Sequence, residues 1–239
     1  MKHLIIISLF LISFNSFTQS KWSFGVEAFP NYTIMTYQSD GTFPNDEDFW
    51  KDYEIGKFCF SQQFYTSYKI NEKSSVSLGI GYHKTGQRTK EMKYIYGNID
   101  PRRGFVANDP NDPAIPAKSQ FYYNHHNIQL PILYSFNFSK LIYIRGGLNT
   151  IFNISNTQTH YFTDQGGNEN KNTIDYNSTN FRKVNLSARL GVGFNILNRE
   201  KFRLYAQPSL EKSFLGLSKN ASLNRLPLSF GVGFGVQIF

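Results

Sequence analysis

Eight ionisable residues carry the chemistry this sequence could support: Glu27, Lys69, His83, His125, Arg145, Arg189, Arg203 and Glu211. Each is placed on the polar parity of the alternating segments described below. If those segments are strands of one closed sheet, a single face collects all eight. Charges enclosed together must pair or hydrogen-bond, because an unpaired buried charge is costly. Two roles follow: an interior ion-pair network that fills and stiffens the enclosed space, or a gated polar path. A barrel of eight strands leaves room for side chains and little else, so the network is the expected role. His83 or His125 with Ser135 or Ser187 and Glu211 would supply the parts of a hydrolytic triad, but the sequence contains no nucleophile elbow. His125 and His126 are adjacent, point to opposite faces of a strand, and cannot chelate one metal together.

The elements that must position these groups are eight segments of period two. Trp22, Phe24, Val26 and Ala28 begin the first; Phe58, Phe60, Phe64, Tyr68 and Ile70 mark the second; Val76, Leu78, Ile80 and Tyr82 the third. The fourth and fifth run through Ile128–Phe138 and Ile142–Phe152, and the seventh through Phe202–Leu210. In the sixth, Val184, Leu186, Ala188, Leu190, Val192, Phe194 and Ile196 alternate with Lys183, Asn185, Ser187, Arg189, Gly191, Gly193 and Asn195. The eighth sets Leu228, Phe230, Val232, Phe234, Val236 and Ile238 against Ser229, Gly231, Gly233, Gly235 and Gln237. On a helix such apolar residues would spread around the whole circumference, so these segments are strands.

Connections alternate between long and short. Long links at 33–56, 86–120, 155–180 and 215–226 interleave with tight turns at Asn71–Ser74, Ser139–Lys140 and Leu197–Lys201. Short periplasmic turns and long outer loops are the plan of a transmembrane barrel. Sidedness follows from the two parities. One is Phe, Leu, Ile and Val; the other is Gly, Ser, Asn and Gln with a few charges, too poor in Lys and Glu for a water-facing surface. Lipid demands that arrangement, with every backbone group paired by closure. Trp22, Tyr32, Tyr68, Tyr82 and Tyr134 near strand ends are candidates for interfacial belts. The alternative is a soluble eight-stranded ligand-binding barrel, since alternation alone does not say which face is wet.

Composition agrees. The chain has 239 residues, 17% aromatic and 18% charged, which excludes disorder as the main state. Mean hydropathy is −0.39, and beyond residue 20 there is no apolar run long enough for a membrane helix. The net charge of +8 comes from scattered basic residues rather than a stripe, so no nucleic-acid partner is expected. A lone Cys59 excludes an internal disulfide framework. At the N-terminus, Lys2 and His3, the apolar run Leu4–Phe14 and the polar exit through Ser20 read as a signal peptide over 1–20, leaving one domain over 21–239.

The first long link is acidic, with Asp40, Asp46, Glu47, Asp48, Asp52 and Glu54 around Phe49, Trp50 and Tyr53. Asp46, Asp48 and Asp52 are the one weak candidate for a divalent cation, but their spacing matches no calcium loop. A solvated acidic loop with no metal and no cofactor is expected, its aromatics folded over the barrel mouth or offered as a contact surface. In the second link, Arg88, Lys90 and Lys93 face either lipopolysaccharide phosphates or the acidic first link. The stretch from Arg102 and Arg103 through Asn108-Asp109-Pro110 and Asn111-Asp112-Pro113 to Pro116 predicts partial order.

The chain resembles the PorT-like family of small outer-membrane β-barrels. The resemblance lies in the signal peptide and the strand Asn127-Ile128-Gln129-Leu130-Pro131-Ile132-Leu133. It lies also in Leu204-Tyr205-Ala206-Gln207-Pro208 and the ending Ser229-Phe230-Gly231-Val232-Gly233-Phe234-Gly235. It implies an outer-membrane location and outer-membrane lipid as surroundings. The terminal Phe239 resembles the aromatic end residue read by the barrel-assembly machinery, although the alternate positions counted back from it are Gln237, Gly235 and Gly233 rather than apolar. The expected fold is thus all-β: an eight-stranded antiparallel up-and-down transmembrane β-barrel with long extracellular loops. The expected function is non-enzymatic, a structural or interaction role with a protein or surface ligand at those loops. The alternatives are a lipid-modifying hydrolase and passage of small solutes.

Overall fold

The computed structural model describes residues 21–39, 46–93, 117–164, 166–176, 181–219 and 223–239. The signal-peptide segment and the Arg102–Pro116 stretch lie outside these residues. In chain order the elements are β1 (Trp22–Ser39), α1 (Asp46–Tyr53), β2 (Glu54–Lys69), β3 (Ser74–Thr89), β4 (Met92–Lys93) and β5 (Lys118–Asn137). They continue with β6 (Ile142–Thr163), β7 (Glu169–Asp175), β8 (Val184–Asn198), β9 (Phe202–Ser213) and β10 (Leu223–Ile238).

Eight long strands close into a ring, β1-β2-β3-β5-β6-β8-β9-β10, every neighbour antiparallel. Two pairings complete the circle. β1 meets β10, with Val26 opposite Val236, and β5 meets β6, with Ile132 opposite Leu148. The short strands β4 and β7 lie outside the ring, against β5 and β6. The tight turns are held by backbone bonds such as Ile70 N–H to Ser74 O at 2.9 Å and Arg199 N–H to Phe202 O at 2.9 Å. The expected eight-stranded up-and-down barrel is the fold.

The alternation does what lipid requires. Phe58, Phe64, Ile80, Ile132, Leu148, Leu190, Ile196 and Phe234 are exposed on the outer wall, while Glu27, Gln63, Gln129, Arg145, Asn149, Arg189, Gln207 and Glu211 are buried inside. In water such a surface would expose most of its large side chains at roughly 1.5–3 kcal/mol each. In a bilayer the same surface is solvated, so the soluble-barrel alternative is discarded. No helix among the described residues is long and apolar enough to cross a membrane; the strands do the crossing.

Aromatic residues bound the apolar band. Trp22 and Tyr68 pack at 4.9 Å between ring centroids near the short turns, with Tyr134 on the same side. Higher up, Tyr32 packs on Phe230 at 5.6 Å and is register partner of Phe58. From Trp22 to Tyr32 the strand covers about the 9–11 residues of a tilted crossing.

The expected long links are shorter than alternation implies. β5 is 20 residues long and β6 is 22, and β1 runs on to Ser39, β3 to Thr89 and β6 to Thr163. The first link also holds α1. Alternation fades in these extensions because both faces of a strand are wet above the bilayer, so nothing selects an apolar parity. Backbone pairing continues regardless.

Candidate functional site

The lumen is built in layers from the inward residues of the eight strands. At its centre Glu27 of β1 is 2% exposed and takes Arg189 Nη2 at 2.6 Å on one carboxylate oxygen. The other oxygen takes Arg145 Nη1 at 3.2 Å and the Tyr205 hydroxyl at 2.8 Å. One carboxylate therefore holds two guanidinium groups from β6 and β8.

Arg145 stands within a cage of three tyrosines. Its guanidinium carbon lies 5.5 Å from the Tyr65 ring, 5.2 Å from Tyr143 and 5.1 Å from Tyr205, distances suited to cation–π attraction. Each tyrosine sits in register with a glycine on the neighbouring strand: Tyr65 with Gly25, Tyr143 with Gly193, Tyr205 with Gly235. A Cβ at any of the three glycines would strike the partner's ring. The rings lie over those glycines and fill the barrel where the strands curve, as an aromatic does beside a strand glycine.

A hydrogen-bond chain climbs from this centre. Gln63 donates to Glu27 at 3.3 Å, Gln129 to Gln63 at 3.4 Å, and Asn149 to both Gln129 at 2.9 Å and Glu211 at 3.0 Å. Ser187 donates to Glu211 at 2.6 Å, and His83 Nε2 stands 3.9 Å from the same oxygen. The next layer contains His125, hydrogen-bonded with Asn156 at 2.7 Å and Gln87 at 3.3 Å.

The eight expected interior groups thus divide. Glu27, Arg145 and Arg189 share one cluster, and His83 and Glu211 form the layer above it. His125 belongs to a separate layer. Arg203 lies at the lower opening with its guanidinium 5.0 Å from the Phe239 ring, and is only partly buried. Lys69 is exposed at the lower end of β2. It was expected inside; the ammonium instead escapes into solvent where the strand ends, which costs less than pairing in the lumen.

The sketched triad does not assemble. Ser135 accepts from Arg145 Nε at 3.0 Å and Ser187 serves Glu211. The serine on His83 is Ser61, at 2.9 Å from Nδ1. Ser61 is 1% and His83 2% exposed, both inside the lumen. His126 faces outward and bonds the Tyr82 hydroxyl, on the opposite face from His125.

At the upper end of the barrel a second ion pair spans β2 and β10. Arg225 of β10 meets Glu54 of β2 at 3.0 Å, and Tyr37 of β1 donates its hydroxyl to Glu54 at 2.6 Å. Burial, with the Glu54 carboxylate beside it, pushes the Tyr37 phenol well above its ordinary pKa. Trp50 of α1 covers Arg225 at 4.4 Å. Of the aromatics of the acidic link, Trp50 thus lies over the upper ion pair, while Phe49 is exposed. Asp48 is exposed, Asp52 likewise, and Glu47 pairs with Lys51 at 2.8 Å. Among the described residues no three carboxylate, histidine or cysteine groups are placed to hold a metal ion.

Above the band, β5, β6 and β7 form a projecting sheet. Thr157–Thr163 of β6 pair with Glu169–Asp175 of β7, which is exposed throughout. Asn168 closes their turn with hydrogen bonds to Asp164 at 2.8 and 3.0 Å, which hold that carboxyl below its usual pKa. Aromatic pairs stiffen the sheet: Phe121 stacks on His160 at 4.3 Å, and Tyr122 meets Tyr161 at 5.0 Å.

Sequence reasoning missed the tyrosine cage, Ser61, the glutamine–asparagine chain and the Glu54–Arg225 pair. A signal for the cage was present: Tyr143 and Tyr205 are large residues on an otherwise small, polar parity. Nothing in the spacing foretells Glu54–Arg225, whose members are 171 residues apart.

Solved structures similar in fold include Ail of Yersinia pestis, crystallised in complex with the heparin analogue sucrose octasulfate. It is 12% identical, covering 90% of this chain and 99% of that one, with a TM-score of 0.36. Neisserial surface protein A is 13% identical, covering 92% and 97%, with a TM-score of 0.38. OprG of Pseudomonas aeruginosa is 10% identical, covering 91% and 98%, with a TM-score of 0.30. A search of curated proteins returns no significant match. The model of the outer membrane protein β-barrel domain family matches residues 9–215, and with a closed ring of lipid-facing strands to accompany that match, the chain belongs to this family and resides in the outer membrane.

Proposed function

We propose that this protein is a non-enzymatic interaction barrel: a rigid, closed membrane scaffold that presents an extracellular sheet and mouth to a protein or surface ligand. The observation that supports it is the filled lumen. Paired or hydrogen-bonded side chains occupy every level from Ser23 and Gln237, bonded at 2.7 Å, to Glu54 and Arg225. Among the described residues the lumen keeps a recess of about one water molecule's size beside His83, Asn127 and Asn156, too small for a pore or a substrate, and loops and edges on a rigid scaffold are where recognition resides. The β7 edge, the aromatic rows on β5 and β6 and the Trp50 cap are the surfaces available.

Within the family we read the chain as PorT-like, on the strand sequences around Gln129, Gln207 and Gly233, without carrying over a role in secretion. Residues 1–20 serve in this reading as a cleaved signal peptide, and Phe239 as the end residue for barrel assembly.

The test is conductance of the purified protein in planar bilayers. Baseline current without steady open-channel events is expected; a stable unit conductance would overturn the closed scaffold and favour solute passage.

A further inference from the structure

The outer wall carries a cationic patch at the level where the apolar band ends. Lys84 and Arg88 of β3 stand in register with His126 and Tyr122 of β5, and Gly86 between them with Asn124. His125 and Asn127 are buried, so these β5 residues look outward. Lys57 of β2 donates to Asn124 Oδ1. Its ammonium lies 5.4 Å from the Tyr122 ring centroid. Arg88 lies 5.9 Å from the same ring and donates to the Tyr122 hydroxyl at 3.3 Å.

Lys84 and Arg88 both lie close enough to Lys57 to repel its ammonium. Among the described residues no carboxylate comes within ion-pair distance of any of them. The nearest acids along the chain are taken, Glu91 by Lys118 at 3.4 Å and Glu54 by Arg225 at 3.0 Å. Arg88 Nε is also buried without a hydrogen-bond partner. Among the described residues this cluster of like charges has no counter-ion, and a phosphate suits it, since several cationic donors can share its oxygens.

Position selects the phosphate's carrier. Immediately below the patch the wall presents exposed Phe58, Phe60, Ile80 and Ile128. An anion whose own tail is buried against that surface gains apolar burial with the ionic contact, which a soluble phosphate does not. We propose that Lys57, Lys84 and Arg88, with Tyr122 and Asn124, form a site for the phosphorylated headgroup of an outer-leaflet lipid of the lipid A type. The site is on the wall rather than in the loops, and it stands whether or not the mouth binds a partner. Of the basic residues expected to meet such phosphates, Arg88 belongs to it; Lys90 is exposed beside α1, its N–H bonded to Tyr53 O at 2.8 Å.

The test uses the full-length mature barrel in detergent, titrated with diphosphorylated lipid A, its dephosphorylated form, or inorganic phosphate, and read by native mass spectrometry. The wild type should bind the diphosphorylated lipid at least about tenfold more tightly than the triple variant Lys57→Gln/Lys84→Gln/Arg88→Gln, a 1.4 kcal/mol difference. Dephosphorylated lipid should bind both proteins alike. The variant Lys57→Arg/Lys84→Arg should keep the affinity, and Lys73→Gln/Lys140→Gln at the periplasmic turns should not change it. A heat-dependent gel shift confirms that each variant is folded. Equal lipid A binding by wild type and triple variant would overturn the site. Displacement of the lipid by millimolar inorganic phosphate would overturn the lipid as its occupant.

Discussion

Tyr143 lies directly across a strand pair from Gly193, and its ring occupies the space that a side chain at 193 would need. The glycine is thus part of the lumen packing. Replacing it forces the ring against Arg145 and Tyr205. Gly193→Ala should lower stability by about 1–3 kcal/mol, the usual cost of overpacking a filled interior. Adding Tyr143→Leu should recover part of the loss, since the two sites are in contact and their effects are not additive. Urea unfolding of the barrel refolded in lipid vesicles measures both; an unchanged midpoint for Gly193→Ala would show that the ring has other room.

Glu27 is the sole carboxylate on both Arg145 and Arg189 among the described ion pairs. Glu27→Gln keeps the shape and strands two buried cations, so a loss of about 3–5 kcal/mol is expected. Glu27→Leu/Arg145→Met/Arg189→Met removes all three charges and should unfold later than Glu27→Gln. The reverse order would mean that water, rather than the carboxylate, solvates the arginines.

At the mouth, Glu54→Gln weakens the contacts with Arg225 and Tyr37 that seat Trp50 and α1. Protease cleavage within 46–53 on intact outer membranes should then rise severalfold, while the boiled-versus-unboiled gel shift stays as in the wild type. Unaltered cleavage would place the anchoring of α1 elsewhere.

If the lumen histidines are structural, His83→Ala and His125→Ala should leave the lipid profile of expressing cells unchanged by mass spectrometry. Each should cost about 1–3 kcal/mol through the hydrogen-bond partners left unsatisfied, Ser61 for His83 and Asn156 for His125. A lipid species that disappears with either substitution would restore the hydrolase reading.

Much of the barrel was legible because membrane and lumen impose opposite chemistry on alternate residues. Val184–Ile196 could be read as a strand, with its lipid face, from the sequence alone. Its neighbour β6 could be followed to Phe152 and not to Thr163, because above the bilayer polar residues stand on both parities of Asn153–Thr163. The helix α1 has no signature in the sequence: its eight residues carry five charges and too little apolar surface to show a helical stripe.

The site divides along the same line. Which residues face inward follows from parity, a local property with a period of two, and so Glu27, His83, Arg145, Arg189 and Glu211 could be named in advance. Which of them meet depends on the stagger of eight strands around a closed ring, a property of no single segment. That stagger puts Glu27 between Arg145 and Arg189, lets Lys69 fall outside, gives His83 to Ser61 rather than Ser135 or Ser187, and sets Tyr143 over Gly193. The sequence by itself determined the strands, their sidedness and the membrane they occupy, because solvent acts on each residue separately. Only closure of the ring decided the partners, because a pair interaction exists only at the distance that the tertiary register brings about.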